Sequence, residues 1–436
     1  SRKKRNQIIN DLNSYKITVK TLPSIQDIFD GKISISDIKD LSVEDLLSRE
    51  QVMPNLELLS KNINSKVVLV TGAGGSIGSE LCRQIIRLKP KNLILLELNE
   101  FALYSIYEEL KDLSQNLKII PLLVNIQNSS RLKEVFNTFQ VDTVYHAAAY
   151  KHVSLVEENI CESIMNNVLG TYQISQIAMQ YKVSNFVLIS SDKAVRSTNI
   201  MGATKRFAEL CVQALYDGNK NTQFSIVRFG NVLESSGSVI PKFKKQIHIG
   251  GPVTLTHPDV TRYFMTITEA AQLVIQAGAM STSCNVFILD MGQSIKIKDL
   301  IYKMIILSGL KVKDDQNPDG DIEIKITGLR PGEKLYEELL LGNNPQKTRH
   351  EKIQKAEDPH IPLSQLKIYL DSLTTLLKEN KIAEVKEMLE RLVISYKSNS
   401  QIVDHIYNEK KNLQNDNKKL SAIKDKENNI INLKIK

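Results

Sequence analysis

The tightest constraint on this chain is the run from Lys66 to Gly78. Lys66-Val67-Val68-Leu69-Val70 is a continuous apolar stretch, and Thr71-Gly72-Ala73-Gly74-Gly75-Ser76-Ile77-Gly78 follows without a gap. A strand that is apolar throughout is one covered on both faces, as in a parallel sheet flanked by helices. The glycines permit a tight turn into a helix, expected from Ser79 to about Leu88. The same alternation continues, with strands expected at Leu93–Leu96 (ending on Glu97), Ile119–Val124 and Thr143–His146 and helical patterns between them. This βαβαβ pattern reads as the first half of a doubly wound α/β sheet.

The spacing Gly72-x-x-Gly75-x-x-Gly78 departs from the GxGxxG dinucleotide fingerprint, but the physics is shared. Glycines let backbone approach a pyrophosphate, and they let helix and strand pack closely. Glu97 lies 25 residues past Gly72. A carboxylate there would accept hydrogen bonds from the adenosine ribose and repel a 2′-phosphate, so NAD is expected rather than NADP. The alternative for Glu97 is an exposed strand-end acid. In His146-Ala147-Ala148-Ala149-Tyr150-Lys151-His152 the small residues would let a flat nicotinamide or its phosphates pass close; a plain strand-to-helix turn is the alternative. Asn167 is expected to brace neighbouring backbone.

The chemistry-bearing groups gather at Ser190-Ser191-Asp192-Lys193, which ends the apolar run Phe186–Ile189, and at Met201-Gly-Ala-Thr-Lys205. Ligands of open α/β sheets bind at the carboxyl ends of strands. An acid and an amine there, with a second lysine one helical turn after Met201, could add a proton, remove a proton and hold a cofactor ribose. Partial burial would lower the Lys193 pKa and raise that of Asp192, as a base and an acid require. Taken alone, the two could equally form an exposed ion pair.

Charge excludes one class of function. The net charge of +8 is accounted for by residues 1–20 (six basic, one acidic) and residues 400–436 (eight lysines, five acids), so residues 21–399 balance to zero. The central part therefore offers no field for a nucleic acid. The ends read as solvated tails, an anionic membrane surface being the other reading for the N-terminal cluster. No run reaches the roughly 18 apolar residues of a membrane span, and no signal peptide is visible. The first residue is not methionine, so a fragment lacking its true N-terminus is expected. Cys82, Cys161, Cys211 and Cys284 lack zinc-type spacing and read as reduced thiols of a cytosolic protein.

Taken together, several motifs resemble one family. They are the glycine turn, His146 to Val156, Ser190 to Lys193, Met201 to Arg206, Arg228-Phe-Gly-Asn231-Val, Thr256-His257-Pro258 with Thr261-Arg262-Tyr263-Phe264, and Thr327-Gly-Leu-Arg330-Pro-Gly-Glu333-Lys334, spanning about residues 66–353. The chain resembles the extended short-chain dehydrogenases/reductases. More closely, it resembles the large bacterial nucleotide-sugar 4,6-dehydratases of polysaccharide and protein-glycan biosynthesis, which act on UDP-N-acetylglucosamine. The resemblance implies NAD held by Gly72, Gly75, Ser76, Ile77, Gly78, Glu97, Asn125, Ile126, Ala147, Ala148, Ala149 and Lys205. It implies catalysis by Ser191, Asp192, Lys193 and Lys205 around Met201. Lys151, Asn231, Ile240, Pro241, Arg262, Arg330 and Glu333 would bind the UDP-sugar: Asn231 facing the diphosphate, backbone near Ile240 the uracil, the two arginines phosphate, and Glu333 the ribose. No metal is implied.

The implied reaction removes water across C5 and C6 without net redox change. Lys193 would take the C5 proton, Asp192 would protonate the departing 6-hydroxyl, and Ser191 would relay the C4-hydroxyl proton. Met201 stands where short-chain dehydrogenases usually carry a tyrosine, a replacement the large dehydratases share. Other departures are Glu234 for a small residue, Asn125 for Asp and Ser191 for Thr. The competing readings are a UDP-sugar 4-epimerase and a non-catalytic NAD-binding scaffold of a glycan-assembly complex. The expected organisation is a lead-in (1–64), an NAD-binding Rossmann core (65–230), a mostly UDP-sugar-binding region (231–362), C-terminal helices (363–399) and a polar basic tail or marginal helix (400–436). By the same resemblance the protein is a cytoplasmic homo-oligomer whose missing N-terminal part anchors it at the inner membrane.

Overall fold

The computed structural model describes residues 52–218, 221–330, 332–339, 345–393, 396–397 and 401–414, and the backbone pairing of Lys20–Thr21 with Lys39–Asp40. Apart from that pair, the strand expected at Tyr15–Leu22, the helix at Ser24–Phe29 and the helix start at Ser42 lie outside the described residues, as does the tail beyond residue 414.

Helix α1 (Leu56–Lys61) is capped by Asn55, whose side-chain oxygen accepts from the Leu58 N–H. The chain then lays down β1 (Val67–Thr71), α2 (Ser76–Arg87), β2 (Asn92–Glu97), α3 (Glu100–Leu113), β3 (Lys118–Leu123), α4 (Ser129–Phe139) and β4 (Thr143–His146). Helices α5 (Val153–Glu158) and α6 (Ile160–Ile164) lead through a π-helical turn at Met165–Gly170 into α7 (Thr171–Gln180). Next come β5 (Asn185–Ile189), α8 (Ile200–Gly218), β6 (Gln223–Arg228) and β7 (Asn231–Val232). The rest is α9 (Val239–His248), β8 (Val253–Leu255), β9 (Thr261–Arg262), β10 (Phe264–Met265), α10 (Ile267–Met280), β11 (Asn285–Leu289), β12 (Ile295–Lys296), α11 (Ile297–Leu307), β13 (Val312–Lys313), β14 (Ile322–Ile326), β15 (Gln346–Lys347), β16 (Ile353–Ala356), α12 (Leu363–Lys378) and α13 (Ile382–Leu392).

The main sheet has the order β15-β16-β11-β6-β5-β4-β1-β2-β3. From β3 to β11 every pairing is parallel, and β16 and β15 add an antiparallel edge. The run 3-2-1-4-5-6 is the Rossmann order, whose switch point lies between β1 and β4. Successive residues of β1 explain its unbroken apolar sequence. Val68 and Val70 enter the core beneath α2 and α10, while Val67 and Leu69 enter the core beneath α4, α7 and α8. Helix α2 starts at Ser76, three residues before the expected position, because Gly75 in extended conformation serves as its N-cap.

Residues 231–362 serve two bodies. Strands β11, β15 and β16 complete the main sheet, whereas β8, β14 and β13 form a small parallel sheet closed by α9 and α11 around Ile240, Phe243, Leu300 and Ile305. Helices α12 and α13 match the two amphipathic patterns expected after residue 362, and they pack on α8. That helix is apolar on both sides: Ala208 and Val212 face the sheet, and Phe207, Leu210 and Cys211 face the C-terminal helices. Among the described residues no helix is long and apolar enough to cross a membrane.

Candidate active site

Because β2, β1, β4, β5 and β6 are neighbours, their carboxyl ends meet along one edge. The glycine turn leaves β1 there, and Gly72 takes φ +63°, a left-handed conformation that suits glycine. A Cβ at Gly72 would lie 2.8 Å from the Ala148 nitrogen, and one at Gly78 would overlap the Gly72 carbonyl. Gly74, not singled out from the sequence, packs against Ala102 of α3. Glu97 closes the turn: one carboxylate oxygen accepts from Gly74 N (3.0 Å), the other from Leu98 N and Asn99 N. The N-cap Gly75 gives no side-chain cap to the first N–H groups of α2. Asn125 Oδ1 accepts from Gln127 N, and Ile126 is buried against Gly170. Ala147 N and Ala148 N donate to Thr71. Asn167 braces backbone as expected, accepting from Tyr150 N and donating to Tyr150 O, and it also reaches Thr204 Oγ1 on α8.

At the end of β5, Asp192 N donates to Phe229 O, which carries the pairing with β6 one step beyond the strands. A 3-10 turn at Asp192–Ala194 then brings three side chains together. The Ser191 hydroxyl donates to Asp192 Oδ1 (2.9 Å), and Lys193 Nζ donates to the same oxygen (3.0 Å). Lys193 also reaches Asn231 Oδ1 at 3.2 Å and Glu337 Oε1 at 3.4 Å. Asp192 is 1% exposed, and among the described residues its Oδ2 has no partner.

The electrostatics correct the expectation for Lys193. Burial works against the ammonium, but Asp192 and Glu337 outweigh it and hold the pKa above the ordinary lysine value. Burial alone would lower it; the second acid, Glu337, comes from far along the chain. At rest Lys193 is an ammonium, not the neutral amine expected.

Lys205 behaves differently. It is buried, its Nζ donates to Ile189 O (2.6 Å), and burial, opposed by Glu209, pushes its pKa down to about 8. The unfolded chain keeps that proton up to its ordinary value of 10.5, so the folded state becomes more stable as pH rises from about 8 to 10.5. Against a Lys205→Met variant, the wild-type unfolding free energy is expected to gain about 3 kcal/mol over that window. Urea unfolding at its two ends measures this. Met201, one turn earlier, is packed in the apolar cluster shared by α8 and the C-terminal helices.

The residues expected to bind substrate divide. Arg262 is buried, donates to Glu333 Oε1 (3.2 Å) and lies 3.8 Å from Glu337. Glu333 also accepts from the Arg330 N–H, while the Arg330 residue itself is exposed. Asn231, expected on the diphosphate, accepts from Lys193 Nζ through its Oδ1, and Lys151 is exposed. Ile240 is a core side chain of α9, and Pro241 follows it in the first turn. Glu234 is paired with Lys244, which answers its charge. Ser236 N donates to Ser76 Oγ (3.0 Å), so the 234–238 segment lies against the start of α2.

Two acids missed in the sequence complete the arrangement. Glu337 stands four residues after Glu333 with no motif to mark it. Glu209 lies one turn after Lys205, a spacing that could have pointed to it. It accepts from Ser190 Oγ (2.6 Å), Arg206 and Arg228.

Comparison with known proteins agrees with this architecture. A profile of the family described as "Polysaccharide biosynthesis protein" matches residues 68–358. The capsular polysaccharide biosynthesis protein CapD of Staphylococcus aureus is 46% identical over 88% of this chain, which spans 63% of that protein's length. A UDP-N-acetylglucosamine 4,6-dehydratase (inverting) of Campylobacter jejuni is 29% identical over 65% of this chain and 80% of its own. Among solved structures, Pen from Bacillus thuringiensis superposes with a TM-score of 0.57 at 34% identity, covering 64% of this chain and 84% of that one.

Proposed function

Because this chain belongs to the polysaccharide biosynthesis protein family, we propose that it is an NAD-dependent dehydratase that removes water from UDP-N-acetylglucosamine to give a 4-keto-6-deoxy sugar nucleotide. The observation that carries the reading is the Ser191–Asp192–Lys193 cluster at the end of β5, in which two half-buried side chains meet on the buried Asp192. A reaction limited to C4 has no use for such an acid–base pair.

The glycine turn fits the cofactor, since side chains at Gly72 or Gly78 would meet backbone and the uncapped start of α2 favours a pyrophosphate. Gly72, Gly75, Ser76, Ile77 and Gly78 would hold that pyrophosphate. Glu97 would take one ribose, Lys205 the other, and Asn125 and Ile126 the adenine. When bound, NAD supplies a hydride acceptor for C4 and a hydride donor for C6. Gly78→Ala is expected to weaken NAD binding about tenfold or more, as overpacking displaces α2; titration calorimetry measures it.

The remaining steps are proton movements. Passing one proton across the 3.0 Å contact from Lys193 to Asp192 makes a neutral amine and a protonated acid at once, with no exchange with solvent. Lys193 then accepts the C5 proton, Asp192 protonates the leaving 6-hydroxyl, water departs, and Lys193 returns a proton to C5 when C6 is reduced. The charge that Lys205 keeps up to about pH 8 favours proton loss from the C4 hydroxyl. Asp192 already holds the Lys193 proton at that stage, so the Ser191 hydroxyl relays the C4-hydroxyl proton past it to solvent, from which Lys193 is recharged at the end of the cycle. Arg262 would clamp the diphosphate, because a guanidinium offers it two parallel hydrogen bonds.

Incubation with UDP-N-acetylglucosamine in D₂O, followed by NMR and mass spectrometry, tests the reading. Loss of water with deuterium at C5 is expected. Formation of UDP-N-acetylgalactosamine without water loss overturns it in favour of a 4-epimerase.

A further inference from the structure

Glu337 has no part in the reaction outlined above, yet it is one of the most deeply buried acids near Lys193. Its side chain is 4% exposed, and its Oε1 lies 3.4 Å from Lys193 Nζ and 3.8 Å from Arg262 Nε. Its second oxygen is buried without a hydrogen-bond partner among the described residues. The segment carrying it is fastened to the loop after Lys193. Thr198 Oγ1 and Asn199 Nδ2 both donate to Gly332 O (2.8 and 3.0 Å), and Lys334 Nζ donates to Val195 O (3.1 Å). Burying a carboxylate costs several kcal/mol unless charge repays it, and here it sits against two cations.

We propose that Glu337 is a positioning residue whose single carboxylate is shared by Lys193 and Arg262, so that the amine that moves protons and the guanidinium that would clamp a diphosphate are held by one acid. This deepens the function proposed above, and its role for Arg262 rests on that reading. Among the described residues the groups facing Lys193 are Asp192 on its own turn, Glu337 from segment 332–339, Arg262 from β9 and the neutral Asn231 from β7. Glu333 acts one step further out, through Arg262. Sharing has a signature that mere packing lacks. Removing Glu337's charge must make Lys193 release its proton more readily, and removing that of Arg262 must do the reverse.

The test needs no substrate. Full-length protein labelled at lysine Cε with ¹³C is titrated by NMR, with Lys193→Arg identifying the resonance and thermal unfolding confirming that each variant is folded. In Glu337→Gln the Lys193 midpoint is expected to fall by about one unit or more, the usual effect of a neighbouring opposite charge. Glu337→Asp, which keeps the charge, restores part of it, and Arg262→Gln moves the midpoint up. Glu338→Gln, which alters an acid paired outward with Arg196 and Lys334, leaves it in place. A folded Glu337→Gln protein whose Lys193 titrates as in wild type overturns the proposal. Because the readout is the free protein, failure to dehydrate a UDP-sugar would leave this result standing, and the reverse holds too.

Discussion

Replacing Lys193 by methionine is expected to lower turnover of UDP-N-acetylglucosamine by about a hundred- to ten-thousand-fold, the range for loss of a general base. Methionine keeps the apolar stem but can neither accept the C5 proton nor donate one to Asp192. Asp192, 1% exposed, would then lack the cation 3.0 Å from its Oδ1. Lys193→Arg separates chemistry from architecture: the ion pair with Asp192 and Glu337 can persist, but a guanidinium does not give up its proton near neutral pH. Both variants are therefore expected to bind NAD and stay inactive, with the arginine form melting closer to wild type. Mass spectrometry of the product and thermal unfolding supply the two readouts. Undiminished water loss in Lys193→Met would remove Lys193 from the mechanism.

The largest effect on stability is expected at Glu209. It is fully buried between Arg228, itself 0% exposed, and Arg206, and it receives the hydroxyl of Ser190. Burial alone would raise its pKa, but Arg228 foremost, then Arg206 and Ser190, hold it down at about 2. Glu209→Gln keeps the shape and removes the charge, leaving Arg228 to Asp358 alone. Breaking one side of a buried pair costs about 3–5 kcal/mol, to be read as a lower urea midpoint. The pH dependence has a definite sign. The folded pKa lies below the ordinary 4.5, so this stabilisation is complete above that value and is lost as pH falls towards about 2. A Glu209→Gln protein with an unchanged urea midpoint would show that the network adds nothing.

What the sequence made legible was local. The unbroken apolar run before the glycine turn can be satisfied only by a strand covered on both faces, and Val68 and Leu69 lie in opposite cores accordingly. The adjacency of Ser191, Asp192 and Lys193 is written in consecutive positions, so their meeting needed no fold. The direction of the Lys193 pKa was misread because it depends on Glu337, an acid brought in by a segment far along the chain. The motif marked Asn231, but not that its Oδ1 accepts from Lys193 Nζ, a contact made because β7 begins just past the end of β6. Long-range charge placement has no periodicity to betray it.

The buried pair of Arg228 and Asp358 also sets an order of events during synthesis. Arg228 ends a central strand, but its partner is made 130 residues later, roughly 10 s on a ribosome adding about 5–20 residues per second. Until then a guanidinium destined for the interior has only Glu209 to neutralise it, and α8 has not yet received the helices that cover its outer side. The charge network beneath Ser190 therefore stays incomplete until the segment carrying Asp358 has emerged.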